Sequence, residues 1–482
     1  MPRARAPRTL RAPRPRERPR PRPGTHAGTR PGHPAAMVTT ETGAVRVSAR
    51  DAARIAAVVV APTLAAGVIV RRRGGMALAE RYAVDRRAIG LLGELRRRYG
   101  SGPLRADVGG RHFALVLRTD DALRVLDATP DPYSPATREK RAALEQFQPH
   151  GVLISRGAER AGRRALNESV LETGNQLHSL APRLVRTVRE EAGGLLRSVT
   201  ADAGELAWDD FAAAWDRTVR RVTLGDGARD DTALTAMLGR LRATANWSVA
   251  APRRTGLRER FEQRLRAHVG RAEPGSLAAA LAATPAGPGL DPAGQVPHWL
   301  FAFDAAGIAA YRTLALLATH TAQEAQVRGE VAVTDLTEPH LLPYTRACVL
   351  ESVRLWPTTP FLLREAVRDT EWGGGTLPAG TGFLVYTPLF HRDDALPYAD
   401  RFTPEVWLDG TAQDTAGLLP FSAGPGACPG EDLVLLLTST LLAALVERHA
   451  WLPDRPGRLR PDRPLPRTLD HFGLRFAVLP HH

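Results

Sequence analysis

A cysteine in a glycine-rich loop is the first feature of this sequence that indicates chemistry. Residues 421–430 read FSAGPGACPG, with Cys428 near the end, and a helical pattern begins at Glu431. Small residues and prolines around the cysteine exclude a regular helix or strand. An ionised thiol needs backbone N–H donors and a positive local field, and a turn at a helix N-terminus supplies both, with Gly430 free to aim its amide at the sulfur. Cys428 is therefore either a buried structural thiol or a ligand of an iron ion.

A charged pair precedes this loop in the sequence. Glu351 and Arg354 stand three residues apart in the helical pattern 344–356, so the two side chains share one helix face and can pair. An exposed pair of this kind contributes well under about 1 kcal/mol. The same helix carries several apolar residues, which predicts that the pair is drawn inward; these are Val349, Leu350, Val353 and Leu355.

Taken together, these motifs resemble those of the cytochrome P-450 superfamily of haem-thiolate monooxygenases, bacterial type. Order and spacing match across residues 85–482. The family's Phe-x-x-Gly-x-Arg/His-x-Cys-x-Gly signature is matched at Phe421, Gly424, Cys428 and Gly430. Glu351 and Arg354 resemble its Glu-x-x-Arg pair, Ala306-Gly307 resembles the kink of its I helix, and the segment 402–407 resembles its meander motif.

The resemblance implies a mainly α (α+β) fold, namely the cytochrome P-450 fold with a helical body, small β-sheets and a long I helix over the haem. It implies haem b as cofactor, with Cys428 as the axial ligand of the iron. Arg163 and Arg364 stand where the family's arginines bind the haem propionates, a role suited to the planar, permanently charged guanidinium. The oxygen-binding groove of the I helix would be formed by Ala306, Gly307, Ala309 and Ala310.

Several positions depart from the family pattern. Gly426 replaces the basic residue two before the cysteine, so one propionate loses a partner. Glu159 replaces the usual Trp or His of the C helix, which places a carboxylate near a propionate unless it turns away or pairs with an arginine. Val406 replaces the meander arginine that supports the Glu-x-x-Arg pair, and Arg401 is the candidate substitute. Pro429 removes one N–H donor next to the sulfur.

The I helix departs in a way that concerns function. Ala309-Ala310 stand where the family has the acid–alcohol pair that delivers protons for oxygen activation. At about 100° per residue, one face would carry Phe303, Ala306, Gly307 and Ala310 towards the haem. Asp304 and Thr313 lie about 120° and about 60° off that face. Protons must then come through water, through a substrate hydroxyl, or not at all.

The pattern along the chain predicts three regions. Residues 1–36 hold ten arginines, nine prolines and one glutamate, and are expected to be disordered. This leader is a basic arm, a targeting segment, or a stretch that the native protein does not contain if translation starts at Met37. Residues 37–84 form an N-terminal region with an apolar helix over 55–70, and residues 85–482 form a single cytochrome P-450 domain.

The apolar run 55–70 has two interpretations. Its sixteen residues fall short of the roughly 20 needed to span a bilayer, and Pro62 interrupts the helix. Three arginines follow it at 71–73, which does not fit a signal peptide. We expect a cytoplasmic protein in which this helix packs on the body, and the alternative is membrane association through 55–70.

The net charge of +14 does not indicate nucleic acid. About +9 of it lies in the leader 1–36, and the rest of the chain has an ordinary balance. Lys140 is the single lysine among 65 basic residues, which indicates a genomic preference for arginine. Phosphate recognition normally uses both residue types, so no nucleic-acid partner is expected.

The sequence predicts that the electron donor is a separate protein. There is no Gly-x-Gly-x-x-Gly fingerprint after a strand, so electrons are expected from a ferredoxin or flavodoxin served by an NAD(P)H reductase. Arginines around the cysteine loop would attract such an acidic carrier. The other partners are O2 and a lipophilic small-molecule substrate. The substrate pocket would be lined by Phe303, Ala306, Ala310, Phe361, Leu362 and the 130–155 loop.

Three functions remain open at this point. The first is a monooxygenase that inserts one oxygen atom from O2 into a lipophilic molecule. The second is a haem enzyme of the same fold that uses peroxide or catalyses a rearrangement or dehydration without the usual proton relay. The third is a haem-binding protein without catalysis.

Overall fold

The computed structural model describes residues 44–100, 102–201, 204–246, 252–287, 289–373 and 375–481. The predicted leader 1–36 lies outside these residues. Within them the protein is mainly helical, with three sheets of short strands. The predicted helix–sheet balance, a helical body with short strands, is confirmed.

The helix that carries Glu351 and Arg354 lies within one residue of the predicted pattern 344–356, and the helix after the cysteine loop begins at Glu431 as predicted. In chain order the helices are α1 (Ala49–Ile55), α2 (Ala61–Ala66), α3 (Arg73–Arg81), α4 (Val84–Tyr99), α5 (Thr119–Asp127), α6 (Arg138–Leu144), α7 (Gly157–Val170), α8 (Ala181–Ala201), α9 (Trp208–Leu224), α10 (Thr232–Ala245), α11 (Thr255–Arg271), α12 (Leu277–Ala283), α13 (Val296–Leu317), α14 (Thr321–Ala332), α15 (Pro343–Leu355), α16 (Thr387–His391), α17 (Thr411–Asp414) and α18 (Glu431–Val446).

The strands form one large and two small sheets. They are β1 (Val45–Arg46), β2 (Leu104–Val108), β3 (Arg111–Val116), β4 (Tyr133–Ser134), β5 (Glu205–Ala207), β6 (Phe361–Ala366), β7 (Thr370–Trp372), β8 (Gly375–Leu377), β9 (Gly382–Tyr386), β10 (His449–Pro453) and β11 (Arg475–Pro480). The sheet orders are β1-β2-β3-β9-β6-β4, β10-β11-β5 and β7-β8. Gly109 and Gly110 join β2 to β3 with φ of +57° and +74°, the left-handed turn conformation that suits glycine.

The N-terminal region packs as part of the main body. β1 pairs with β2, with Val45 opposite Leu104, and Val59 lies in the same hydrophobic core as Leu92 of α4. Packing therefore continues across residue 84, where the sequence suggested a boundary. The helix predicted over 55–70 includes a π-helical turn at Ala56–Val60 and ends at Ala66, because Gly67 adopts a φ of +90°.

The central helix α13 lies in the middle of the molecule and contacts α9, α15 and α18. In the described part of the chain, Ala293–Leu317 is the one helical segment long and apolar enough to cross a membrane, but 78% of its apolar window is buried inside the protein. It is therefore a core helix. Together with α18 and the loop before it, α13 frames the candidate site.

Candidate active site

The cysteine loop is held by main-chain hydrogen bonds that place Cys428 just before α18. The amide of Cys428 donates to the Phe421 carbonyl at 2.9 Å, and the amide of Ala427 donates to that of Gly424 at 2.9 Å. Gly424 has a φ of +63°, and a Cβ on it would lie 2.5 Å from the Leu126 carbonyl oxygen, so only glycine fits there. The loop predicted around Cys428 is thus a tight, glycine-dependent turn.

The groups of the protein around Cys428 do not by themselves favour the ionised form of its thiol. Burial raises the pKa of this thiol to about 11, and a hydrogen bond from the Gly430 amide and the charge of Arg164 oppose the rise only in part. The expected support from Gly430 is present, but desolvation outweighs it. A positive ion bound at the sulfur would oppose this rise and favour the thiolate.

The Glu351–Arg354 pair is buried, as the apolar surroundings of its helix predicted. Both side chains are fully buried, and Arg354 donates two hydrogen bonds to Glu351, from Nε at 2.7 Å and from Nη2 at 2.6 Å. The remaining guanidinium N–H groups are used by main-chain carbonyls of the following segment, which are those of His391, Tyr398, Ala399 and Arg401. The pair therefore fastens α15 to the meander that leads to the cysteine loop.

A tryptophan replaces the missing meander arginine. Trp407 donates from Nε1 to Glu351 Oε2 at 3.0 Å, and the Thr403 amide donates to Oε1 at 2.9 Å. Arg401, the substitute suggested from the sequence, contributes only its carbonyl, so that assignment is wrong. The indole N–H lies one residue after Val406, and sequence matching at position 406 could not reveal it.

Three cations meet beside the cysteine loop. Arg364 of β6 donates to Thr129 Oγ1 at 2.9 Å, and Arg160 of α7 donates to the Pro425 carbonyl at 3.4 Å. Lys140 of α6 is the third cation. In the described ranges none of the three forms an ion pair, and Arg160 Nε is buried without a hydrogen-bond partner.

Burial and mutual repulsion weaken the charged forms of these side chains. Burial lowers the pKa of Arg364 to about 10, and the nearby charge of Arg160 adds to the effect. The pKa of Lys140 falls to about 7, first by burial and then by the charges of Arg364 and Arg160. Such a group of buried, unpaired cations fits a ligand that carries carboxylates.

Arg160 of α7 belongs to this group, and Arg163, which the sequence assigned to a propionate, lies three residues further along the same helix with its Nε also buried and unpartnered. Arg163 forms an ion pair with Glu159, donates to Ser155 Oγ, and lies 3.4 Å from His150 Nδ1. The anionic Glu159 is therefore neutralised by an arginine, one of the outcomes foreseen for it. Because the family match is at position 163, Arg160 could be recognised only from the packing of α7.

Gly426 and Arg364 depend on each other. A Cβ at position 426 would lie 2.5 Å from Arg364 Nη2 and 3.2 Å from a side-chain carbon of Thr129. The guanidinium therefore occupies the space that a larger residue at 426 would need. A cysteine beside unpaired cations fits haem, because its iron would take the sulfur as a ligand and the cations would bind its two propionates.

The face that α13 turns towards the site differs from the predicted one. Trp215 of α9 donates from Nε1 to the Phe303 carbonyl at 2.7 Å, and a Cβ on Gly307 would lie 2.6 Å from the indole. Phe303 and Gly307 therefore face α9, and Ala310 lies within about 20° of Phe303 on the helix. The glycine serves close packing with a tryptophan, which is why the predicted groove is rotated.

The opposite face of α13 looks towards the loop after α6. Phe301 packs edge-on against Phe147, with ring centroids 5.5 Å apart, and Arg242 lies 4.9 Å above its ring. Ala305 and Ala309 follow Phe301 at intervals of four residues and share its side of the helix. Of the residues assigned to the groove, Ala309 lies on this face and Ala306 lies between the two faces, and each is 3% exposed.

An acidic group lies beside this face. Asp304 forms an ion pair with Arg242 of α10 at 2.5 Å, and its side chain is 39% exposed. Burial, and next the charge of Asp304, raise the pKa of Asp216 of α9 to about 6. The next residue along the helix, Ala305, has no hydroxyl. Two buried hydroxyl groups, those of Thr313 and Ser352, donate to the Ala309 carbonyl.

Comparison with known proteins agrees with this arrangement. The family model described as "Cytochrome P450" matches residues 310–469. Cyclooctat-9-en-7-ol 5-monooxygenase of Streptomyces melanosporofaciens is 36% identical over 30% of the chain and 32% of its own length. Probable cytochrome P450 4s3 of Drosophila melanogaster is 30% identical over 35% and 34%. Ferruginol synthase 1 of Rosmarinus officinalis is 35% identical over 29% and 29%.

The matched segments thus span about a third of the length of these relatives. The part of the chain matched by the family model includes the Glu351–Arg354 pair, the meander and the Cys428 loop, and it begins after the unusual portion of α13. The sequence order of these motifs and the contacts that join them agree, and residues 310–469 of this chain belong to the cytochrome P450 family.

Proposed function

We propose that the protein is a haem-thiolate monooxygenase that inserts one oxygen atom from O2 into a lipophilic small molecule. The observation that carries the proposal is a single cysteine, at a glycine-dependent turn, beside buried cations that lack carboxylate partners. Haem b, with one axial position for sulfur and two propionates, matches both features. When bound with a thiolate ligand, it supplies activation of O2, because thiolate donation favours O–O cleavage.

Each part of the site has a task in this proposal. Cys428 ligates the iron, and the Gly430 amide together with Arg164 stabilises the negative charge on sulfur. Arg364 and Arg160 bind the propionates, and the Glu351–Arg354 pair holds the loop in place through the meander. This division extends the tasks expected from the sequence, with Arg160 in the position first given to Arg163.

Proton supply is the part of the mechanism that this chain handles differently. Ala305 and Ala309 present no hydroxyl on the face that packs towards Phe147. We assign proton movement to the Asp304 carboxyl, which is in part exposed to solvent and held by Arg242. Asp216, with a pKa of about 6, exchanges protons near neutral pH and lies close enough to be affected by the charge of Asp304.

Apolar side chains near the site support a lipophilic substrate. Phe147 and Phe301 lie against each other, and Phe361 and Leu362 are partly buried beside the main sheet. These side chains exclude water and favour a lipophilic ligand. The name of the Streptomyces relative, a monooxygenase of cyclooctat-9-en-7-ol, supports the reaction type and provides a first compound to test.

We propose a separate electron donor of the ferredoxin or flavodoxin type, reduced by an NAD(P)H reductase. A surface pocket of about 400 Å³ lies beside the cysteine loop and is lined in part by Arg346, Trp407, Glu431 and Asp432. One arginine and two acids give this pocket a mixed charge. If attraction to an acidic carrier operates, raising the salt concentration slows reduction of the protein, and a salt-independent rate contradicts it.

We propose a cytoplasmic location with peripheral membrane contact through the first helices. Leu64 and Val68 are 50% and 44% exposed on the segment 55–70, while Val59 on the same segment is buried. A one-sided apolar surface of this kind can lie against a bilayer. Co-sedimentation with phospholipid vesicles tests this, with Leu64→Ser/Val68→Ser expected to abolish it.

The first experiment is an absorption spectrum of the purified, reduced protein with carbon monoxide, beside Cys428→Ala. A strongly red-shifted Soret band that is lost in the variant supports thiolate ligation, whereas absence of haem contradicts the proposal. Turnover of cyclooctat-9-en-7-ol with NAD(P)H and redox partners supports the monooxygenase. Turnover with peroxide or without reductant supports the second candidate function, and no turnover under any condition supports a haem-binding protein.

The proton assignment has its own test. Ala305→Thr places a hydroxyl next to Asp304 on the face that packs towards Phe147, and it is expected to increase the product formed per NAD(P)H oxidised. Ala310→Thr, on the side that faces α9, is the matched control and is expected to give no increase. An equal gain from both variants contradicts the orientation of α13 described above.

A further inference from the structure

The only lysine of the chain is partly buried. Of the 65 lysine and arginine residues in the sequence, Lys140 alone is lysine, so every other basic position is filled by arginine. Burial is the main cause that lowers the pKa of Lys140. A lysine that is retained in such a chain, at a position where its charge is hard to accommodate, calls for a specific partner.

The protein supplies Lys140 with one contact. Its Nζ donates to the Leu363 carbonyl at 3.2 Å, which leaves the other two ammonium N–H groups without a described acceptor. This contact places the ammonium on β6, one residue before Arg364. Arg364 and Arg160 both lie close enough to lower the Lys140 pKa by repulsion.

Three cations held together in this way require anions. In the described part of the chain, no carboxylate pairs with Lys140, Arg160 or Arg364, and each lacks the neutralising partner that Arg163 finds in Glu159. Position 426, where the family has a basic side chain, is glycine, and the Arg364 guanidinium fills its space. The site has therefore lost one cation from the cysteine loop and has another on α6.

We propose that the Lys140 ammonium binds a haem propionate and takes the place of the basic side chain that position 426 lacks. The inference rests on the proposed haem enzyme and names a residue of α6 that no family motif indicates. An ammonium group suits this position because it is compact and carries three N–H donors on one nitrogen. It fits beside two guanidinium groups, where a third guanidinium group would be too large.

The test measures how tightly the full-length protein holds haem. Wild type, Lys140→Met and Arg138→Met are each loaded with haem b, and transfer of haem to excess apomyoglobin is followed by absorbance. Arg138 lies on the same helix, and its side chain is exposed, so Arg138→Met is the matched control. Loss of a charge-assisted hydrogen bond is expected to accelerate haem release by roughly tenfold to a hundredfold in Lys140→Met alone.

A second arm distinguishes a propionate from a substrate carboxylate. The same proteins are loaded with haem dimethyl ester, whose propionates carry no charge, and Lys140→Met is then expected to release it at the wild-type rate. Equal release of haem b from wild type and Lys140→Met overturns the inference. If Lys140→Met instead weakens binding of carboxylate-bearing ligands without changing haem release, the partner is a substrate acid and the propionate assignment fails.

The two proposals can fail separately. A wild-type protein that takes up no haem refutes the proposed function itself. A wild-type protein that binds haem with a thiolate spectrum, but is unaffected by Lys140→Met, refutes only the inference. Far-ultraviolet circular dichroism of the variants shows whether they fold, and Lys140→Arg tests whether a charge alone restores slow release.

Discussion

Removing one N–H group from the meander is expected to destabilise the protein measurably. In Trp407→Phe the aromatic ring is kept, but Glu351 loses the donor that lies 3.0 Å from its Oε2. The Glu351 side chain is fully buried, so no water replaces the lost donor. A hydrogen bond to a charged group in such a place contributes about 1.5–3 kcal/mol, and we expect the free energy of unfolding to fall by that amount.

The matched control is Trp451, a buried tryptophan with a neutral acceptor. Trp451 donates from Nε1 to the Leu445 carbonyl, also at 3.0 Å. Trp451→Phe removes a bond of the same length, and the expected loss is about 0.5–1.5 kcal/mol because the acceptor carries no charge. The difference between the two variants isolates the charge on Glu351 from the general effect of replacing an indole.

The assay is urea unfolding of the haem-loaded, full-length protein, followed by circular dichroism and by loss of the Soret band. The expected result is a lower midpoint for Trp407→Phe than for Trp451→Phe, with unchanged slopes. Haem should also be lost at lower urea from Trp407→Phe, since the meander leads directly to the cysteine loop. If Trp407→Phe is no less stable than Trp451→Phe, the indole does not replace the family arginine and the reasoning fails.

Three further variants test the central helix and its neighbours. Gly307→Ala forces a methyl group against Trp215 and should lower the unfolding free energy by about 1–3 kcal/mol, while Gly329→Ala, with nothing within 4 Å, should not lower it. Because the pKa of Asp216 is raised to about 6, the folded protein binds this proton more tightly than the unfolded chain, so the free energy of unfolding falls as pH rises from about 4 to about 6. Asp216→Asn should reduce that fall by about 1–3 kcal/mol. If the pH dependence of unfolding is the same in the variant, Asp216 is not buried as described. Asp304→Asn should reduce product formation by about 10²-fold or more at saturating substrate, and unchanged turnover excludes it as the proton carrier.

The positions that the sequence predicted well are those whose chemistry is local. The loop around Cys428 depends on glycines at fixed offsets, and the Glu351–Arg354 pair depends on the helical repeat alone. Both were predicted in the right place, and so was the helix that begins at Glu431.

The features that the sequence did not predict depend on contacts between distant segments. Trp215 approaches α13 from α9 and thereby decides which face of that helix is turned away from the site. The same holds for Arg160, which differs from Arg163 only in the side of α7 on which it lies. The sheet β10-β11-β5 joins segments more than 240 residues apart, and its short strands carry no turn signal between them.

The solitary lysine also determines how this protein can be studied with cross-linking reagents. Reagents that join two amines find only Lys140 among its side chains, and it is partly buried, so they have few sites through which to capture a docked electron carrier. A carbodiimide can still join the carboxylates of this protein to lysines of the carrier. Apart from bonds to Lys140 or to the N-terminal amine, every such cross-link runs in that one direction, so each of these bonds found by mass spectrometry identifies an acidic residue on this protein's docking face.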